Sequence, residues 1–173
     1  LISVEQARAN LIREVGDRSY RSVLRLARER WASQFDKVRI EASEEVKTIF
    51  YTALYHSLLY PRKIDEYGRY YSAFDDSVHN GVMYNCWSMW DTYRAEHPLL
   101  TLVAPEHIDG MMQSLVEMSK EGGWLPKWPN PSYTGIMVGS PAETILAEAW
   151  TKGFRGFDVE QAYAAVRKNA TVP

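Results

Sequence analysis

The sequence predicts a mainly α-helical chain of stacked helical hairpins. Apolar residues recur at helical spacing along most of its 173 residues, and capping residues open several of these segments. Short loops alternate with the helical segments, which is the order expected of hairpins. Residues 61–88 differ, because their tyrosines, glycines and paired aspartates are typical of turns and strands rather than of helices.

The helix boundaries follow from capping and breaking residues. Ser3 and Gln6 form a capping box, and Asp158 and Gln161 repeat it near the other end. Gly16, Pro61 and the pair Gly122–Gly123 are expected to end helices. The predicted helices cover about residues 4–15, 19–35, 43–60, 89–103, 105–119 and 141–152, with a last one after Asp158. The third is apolar on much of its circumference, which predicts deep packing.

Composition excludes several classes of protein. The chain is 46% apolar and 24% charged, which excludes a disordered chain. Its formal net charge of −2 argues against a nucleic-acid partner. No apolar run approaches the roughly 20 residues of a membrane span. Cys86 is the only cysteine, so an internal disulfide framework and a cysteine-rich zinc site are excluded.

The segment from Trp124 to Tyr133 is the strongest candidate for a binding site. It holds three prolines and three aromatic residues, so its backbone is stiff and irregular. Indole faces match the apolar C–H face of a pyranose ring. Lys127 lies between Trp124 and Trp128, where its ammonium group would donate to a sugar hydroxyl. The alternative is that both indoles fill the core beneath a loop, although burying Lys127 without a partner would be costly.

Two further clusters contain carboxylates. Trp90 and Asp91 open a helix, and Asp91 would accept hydrogen bonds from sugar hydroxyls or stabilise the helix dipole. Arg94 lies three residues later, where it would orient Asp91. Asp75 and Asp76 would form a turn, bind calcium or take part in acid–base chemistry. The histidine spacings do not indicate a histidine metal site, and no metal ligand is assigned in this chain.

Four runs of sequence resemble glycoside hydrolase family 92. They are residues 50–56 (FYTALYH), 68–76 (GRYYSAFDD), 90–102 (WDTYRAEHPLLTL) and 121–128 (EGGWLPKW). The resemblance implies a calcium-dependent, inverting exo-α-mannosidase, secreted, periplasmic or on the cell surface and mostly bacterial. Its substrate would be a mannosyl oligosaccharide or an N-glycan. The enzyme would have no membrane span.

The resemblance also implies an architecture. A short N-terminal strand, Leu1 to Ser3, would be the last of a preceding β-sandwich. Residues 1–42 would complete the sandwich and add connecting helices, and residues 43–173 would form the first part of a six-hairpin α/α barrel, or toroid. Such a partial barrel would expose a large apolar face, so this chain is not expected to be stable without the remainder of the polypeptide.

The resemblance implies that the catalytic site is formed partly by this chain and partly by the rest of the protein. The family's general acid lies in a Glu-Gly-x-Ala-Trp-Gln-Tyr type motif, and its base precedes Gly-Gln-Met-Ser-Ala-Trp; neither motif occurs here. Both groups and most Ca²⁺ ligands are therefore expected downstream. Trp90, Asp91, Lys127 and Trp128 would line the terminal mannose pocket, with Arg94, Trp124, Asp75 and Asp76 as weaker candidates.

Two other readings of the residues stay open. The chain would be a non-catalytic carbohydrate-binding unit if the aromatic loop acted alone. It would be a structural segment of another six-hairpin glycosidase if its tryptophans were core residues. In that case Trp90 and Trp128 would both be buried against aliphatic side chains. The sequence does not specify which α-mannosidic linkage would be cleaved.

Overall fold

The computed structural model describes residues 2–172, which divide into two compact units at residues 59 and 60. The fold is mainly helical, as the sequence predicts. The helices are α1 (Val4–Glu14), α2 (Tyr20–Phe35), α3 (Glu44–Ser57), α4 (Met89–Thr92), α5 (Glu96–Val103), α6 (Pro105–Gly122), α7 (Pro141–Thr151) and α8 (Val159–Thr171). The strands are β1 (Arg62–Lys63), β2 (Arg69–Ser72), β3 (Ser77–Asn80) and β4 (Tyr84–Asn85).

The first unit holds α1, α2 and α3. Its three helices begin after Ser3, Ser19 and Ser43, and each of these serine side chains accepts a backbone N–H three residues later. Ile2 and Ser3 belong to no strand, because extended Ser3 is the N-cap of α1, and Leu1 lies outside the described residues. The predicted N-terminal strand is therefore not confirmed.

Helices α2 and α3 meet through aromatic side chains. The ring of Trp31 lies 4.6 Å from that of Tyr55, and Phe35 lies 5.9 Å from Tyr51. Only Leu54 of α3 is buried among the described residues, and Ile49 is 63% exposed. The expectation of a deeply packed α3 is therefore wrong for this chain, because the described residues cover one stripe of the helix and leave the rest of its apolar surface open.

Residues 61–88 form two small antiparallel ladders, which confirms the predicted strand and turn character. Strand β1 pairs with β4, and β2 pairs with β3 with Tyr70 opposite His79. The turn between β2 and β3 contains Asp75 and Asp76, and Asp76 has a left-handed φ of 57°. The turn-forming role considered for these two aspartates is thus confirmed.

Helix α6 is the centre of the second unit, and α5, α7 and α8 pack against it. Met112, Leu115, Val116 and Met118 on this helix are at most 1% exposed. Removing a buried leucine side chain of this kind typically costs about 2–5 kcal/mol. Pro105 opens α6, where its missing N–H costs nothing, and left-handed Gly123 (φ 89°) ends it.

The predicted helix over residues 89–103 is interrupted. Helix α4 ends at Thr92 and α5 begins at Glu96. Pro98 explains the break, because in a continuous helix its ring would clash with the carbonyl group of Arg94 and it has no N–H to donate. In α5 it occupies the first turn, where backbone N–H groups have no intrahelical acceptor. Within residues 2–172, none of the helices is both long and apolar enough to span a membrane.

Candidate functional site

The aromatic loop between α6 and α7 is irregular, as predicted, and it is anchored by its apolar residues. Leu125, Pro126 and Pro129 are almost completely buried. The hydroxyl group of Tyr133 accepts the backbone N–H of Trp124 at 3.0 Å and donates to the Trp124 carbonyl oxygen at 2.6 Å. The loop therefore has a fixed path, and Trp124, Lys127 and Tyr133 on it are exposed.

A cavity of about 470 Å³ opens beside this loop. Its lining includes Trp124, Lys127, Trp128 and Tyr133, so three of the residues predicted from the sequence meet here. The volume is in the range of small-molecule sites, and the aromatic lining is typical of them. Lys127 is exposed, so no cost of burying its charge arises and its ammonium group is available to a ligand.

Trp124 is held from a second direction by α8. The ammonium group of Lys168 lies 4.3 Å from the centre of the Trp124 indole and donates to the carbonyl oxygen of Gly123 at 2.7 Å. A cation over an aromatic face is attracted by the negative potential of the ring. Trp124 is 36% exposed, so the contact orients the indole without hiding it.

The segment that carries Trp90 and Asp91 is tied to the same loop. Trp87 donates its backbone N–H to the Pro129 carbonyl oxygen at 3.1 Å, and the Asn85 amide donates to that of Pro131 at 2.7 Å. Ser114 of α6 accepts the Tyr84 N–H at 2.8 Å, which fixes β4 to the core. These contacts place residue 88 next to Trp128.

Ser88 joins Trp128 to Asp91. The indole Nε1 of Trp128 donates to Ser88 Oγ at 2.8 Å, and Ser88 Oγ donates to Asp91 Oδ2 at 2.6 Å. Hydrogen bonds to a charged group are stronger than neutral ones, so this relay fixes the carboxylate. The sequence reasoning missed Ser88; its position three residues before Asp91 was the available signal, since that spacing brings the two together at the start of a helix.

The other predicted residues are placed as follows. Trp90 is 46% exposed, and neither it nor Asp91 is among the residues that line the 470 Å³ cavity. Arg94 donates to the Tyr93 hydroxyl, so Ser88 rather than Arg94 is the observed partner of Asp91. Asp76 accepts from Tyr71 at 2.6 Å, and Asp75 pairs with His79 at 2.8 Å, both in the β2–β3 hairpin.

Two neighbouring residues on α5 have pKa values that burial shifts away from their ordinary values. Burial raises the pKa of Glu96 to about 7 and lowers the pKa of His97 to about 4. His97 stacks on Trp87 at 5.4 Å, and its Nδ1 has no hydrogen-bond partner among the described residues. A neutral His97 therefore supports Trp87 as a packing group rather than as an acid or base.

Known proteins define the class of this chain. Two solved glycoside hydrolase structures share its fold. One is the family GH92 inverting mannosidase BT2199 from Bacteroides thetaiotaomicron, at 38% identity and a TM-score of 0.93 over 99% of this chain. The other is the GH92 family glycosyl hydrolase ccman5, at 28% identity and a TM-score of 0.79 over 95%. A comparison with curated proteins finds no significant match.

Residues 6–173 match the Glycosyl hydrolase family 92 catalytic domain, and the chain therefore belongs to this family. The resemblance inferred from the four sequence runs is thereby confirmed. The chain spans 24% and 23% of the length of the two solved structures. It thus corresponds to about a quarter of such a glycoside hydrolase.

Proposed function

We propose that this chain forms part of the terminal mannose pocket of an inverting exo-α-mannosidase. The observation that carries the proposal is the hydrogen-bonded relay from Trp128 through Ser88 to Asp91, beside the cavity lined by Trp124 and Lys127. Membership in family 92 and the similarity to an inverting mannosidase support the reaction class.

The chemistry of these groups suits a hexose. An indole packs against the C–H face of a pyranose, while hydroxyl groups need charged or polar partners. Ser88 engages Oδ2 of Asp91, and no described residue donates to Oδ1, which would accept a sugar hydroxyl. Lys127, exposed at the cavity, would donate to another hydroxyl. The exposure of Trp90 favours this role over that of a core residue.

The bond-breaking groups are proposed to lie elsewhere in the polypeptide. Inversion needs one carboxylic acid to protonate the leaving oxygen and one carboxylate to activate a water on the opposite face of the ring, about 6.5–9.5 Å away. Asp91 would bind sugar hydroxyl groups and so orient the ring between the general acid and the general base. Its contribution is positioning, because ring orientation decides whether the water and leaving group are in line.

The described residues do not fit a calcium site. Among residues 2–172, three potential metal ligands from His, Cys, Asp and Glu come together only at Asp75, His79 and Glu121. Calcium takes six to eight oxygen ligands, and a histidine nitrogen does not suit it. The proposed Ca²⁺ would therefore be held by other parts of the polypeptide, where it would bind mannose hydroxyl groups.

The remaining expectations form part of the same proposal. Residues 1–42 would complete an N-terminal sandwich and connect it to the barrel, and residues 43–173 would begin a six-hairpin α/α barrel. The complete protein would act on mannosyl oligosaccharides or N-glycans in a secreted, periplasmic or cell-surface setting. The helical hairpins and the family support this arrangement.

The test uses the complete polypeptide and an α-mannosyl disaccharide. Proton NMR follows the anomer that is released first. The proposal expects hydrolysis with β-mannose as the first product, and activity that falls after metal chelation and returns with Ca²⁺. First release of α-mannose, or binding of mannosides without hydrolysis, would contradict it; the second result would favour a carbohydrate-binding unit.

A further inference from the structure

Three side chains with metal-binding atoms converge where the β2–β3 hairpin meets the C-terminal end of α6. Asp75 and His79 lie on the hairpin, and Glu121 lies on α6. His79 Nε2 is 2.8 Å from Asp75 Oδ2 and 3.9 Å from Glu121 Oε1. One ligand atom from each of the three side chains lies within 4.8 Å of the other two. The cluster is outside the proposed mannose pocket.

The side chain of Glu121 is buried and held in one orientation. It is 5% exposed. Tyr70 donates its hydroxyl to Oε1, and Ser72 Oγ donates to Oε2 at 2.6 Å. A buried carboxylate is costly unless hydrogen bonds compensate for the lost water. Hydroxyl groups behind a carboxylate are also the usual supports of a metal ligand, since they fix its orientation.

His79 is oriented as well. Its ring stacks on Tyr70 with centroids 5.6 Å apart and planes at 29°. Tyr70 thus contacts two members of the cluster, the imidazole through its ring and Glu121 through its hydroxyl. The side chains of His79 and Asp75 are 34% and 30% exposed, so an ion could enter from solvent and keep a water ligand.

We propose that Asp75, His79 and Glu121 form a zinc-binding site that fastens the hairpin to α6. Neighbouring ligand atoms around a tetrahedral zinc ion are roughly 3.3 Å apart, given bonds of about 2.0–2.1 Å. The distances from His79 Nε2 to Asp75 Oδ2 (2.8 Å) and to Glu121 Oε1 (3.9 Å) lie on either side of this value. One imidazole nitrogen and two carboxylates suit Zn²⁺, while Ca²⁺ and Mg²⁺ prefer oxygen ligands alone.

The position of the site indicates what the ion would do. Gly122 follows Glu121 directly, and the rings of Phe74 and Tyr133 meet over it with centroids 4.8 Å apart. Phe74 belongs to the hairpin turn, while Tyr133 holds the backbone of Trp124. An ion at Asp75, His79 and Glu121 would therefore stabilise the hairpin that supports the aromatic loop.

The test is zinc binding by the complete polypeptide after chelation and dialysis. Bound Zn²⁺ is measured by competition with a chromogenic chelator in the wild type, in His79→Gln and in Asp76→Asn. His79→Gln keeps a side-chain donor near Asp75 but removes the imidazole ligand. Asp76→Asn changes a carboxylate of the same turn that bonds Tyr71 instead. Circular dichroism without metal verifies that each variant is folded.

The expected result is that the wild type and Asp76→Asn bind one more zinc equivalent than His79→Gln. Cobalt replacing zinc should give visible absorption bands that His79→Gln lacks. If His79→Gln does not fold, Asp75→Asn replaces it and should bind at least tenfold more weakly than the wild type. Equal zinc binding by wild type and ligand variant, or no binding by the wild type, would show that the three groups form only a hydrogen-bonded cluster. No mannoside is used, so this result is independent of the proposed function.

Discussion

Trp128 and Asp91 lie on different segments of the chain and share a single hydroxyl group, that of Ser88. The Trp128 indole donates to Ser88 Oγ at 2.8 Å, and Ser88 Oγ donates to Asp91 at 2.6 Å. Each bond in this relay polarises the next, so the position of the indole and the position of the carboxylate are coupled. The proposed pocket thus depends on a residue that need not touch the sugar.

Replacing Ser88 by alanine tests this coupling. Ser88→Ala removes a hydrogen bond to a charged group, worth about 1.5–3 kcal/mol, and frees the Trp128 indole. In the complete polypeptide, kcat/KM for an α-mannoside should fall on the order of 10- to 100-fold with the circular dichroism spectrum unchanged.

Ser33→Ala is the matched control for this variant. Ser33 is an exposed helical serine whose hydroxyl bonds the Arg30 carbonyl oxygen, remote in sequence from the proposed pocket. It should retain wild-type kcat/KM. If Ser88→Ala also stays within twofold of wild type, the relay has no part in turnover.

Replacing Gly122 by alanine tests the support of the aromatic loop. In most helices this change stabilises by up to about 1 kcal/mol, because glycine is more flexible in the unfolded chain. Here the added methyl group would lie 2.7 Å from Phe74 Cδ1 and would overlap the Tyr133 hydroxyl. Gly122→Ala should therefore destabilise by about 1–3 kcal/mol and lower the melting temperature.

A double variant separates this clash from other effects of the alanine. In the Tyr133→Ala background one of the two crowding rings is gone, so Gly122→Ala should cost less stability than in the wild type. A higher melting temperature for Gly122→Ala alone would contradict the crowded arrangement.

Glu96 should make stability depend on pH. Burial raises its pKa from about 4.5 to about 7 in the folded chain. Between these values the folded state holds a proton that the unfolded state has released, so stability falls as pH rises through this window. Glu96→Gln lacks this loss and should be more stable than wild type above pH 7 by roughly 1–2 kcal/mol, a figure reduced because solvent still reaches the half-buried side chain, with no gain near pH 4.5.

His97 acts with the opposite sign and must be separated from Glu96. Its folded pKa of about 4 is below its ordinary 6.5, so acid destabilises the fold as the unfolded histidine takes up a proton. Both Glu96→Gln and wild type keep His97, so its contribution cancels in their difference. Urea unfolding at pH 4.5, 6, 7 and 8 measures the difference in free energy of unfolding between Glu96→Gln and wild type. If this difference did not change with pH, the raised pKa of Glu96 would be refuted.

Local signals explain what the sequence could predict. Ser3, Ser19, Ser43 and Asp158 all cap helices, since capping depends on residues only three positions away. The break before α5 also has a local cause, since Pro98 does not fit inside a continuous helix. Such features predict helix limits well because they involve bonds within one turn.

Contacts between distant segments explain what the sequence could not show. The meeting of Trp128 with Ser88 depends on bonds from β4 and Trp87 to the prolines of the loop. The approach of Glu121 to His79 depends on how the hairpin packs against α6. Lys127 is exposed because its apolar neighbours Leu125 and Pro126 take the inward positions, an arrangement that depends on how the loop packs against the core.

The most direct measurement is kcat/KM of Asp91→Asn in the complete polypeptide, with an α-mannoside as substrate. Asparagine keeps the size of the side chain and can still accept from Ser88, but it loses the charge that binds sugar hydroxyls. The account predicts a loss of at least 100-fold in kcat/KM with an unchanged melting temperature. Activity within a few-fold of wild type would contradict the proposed mannose pocket.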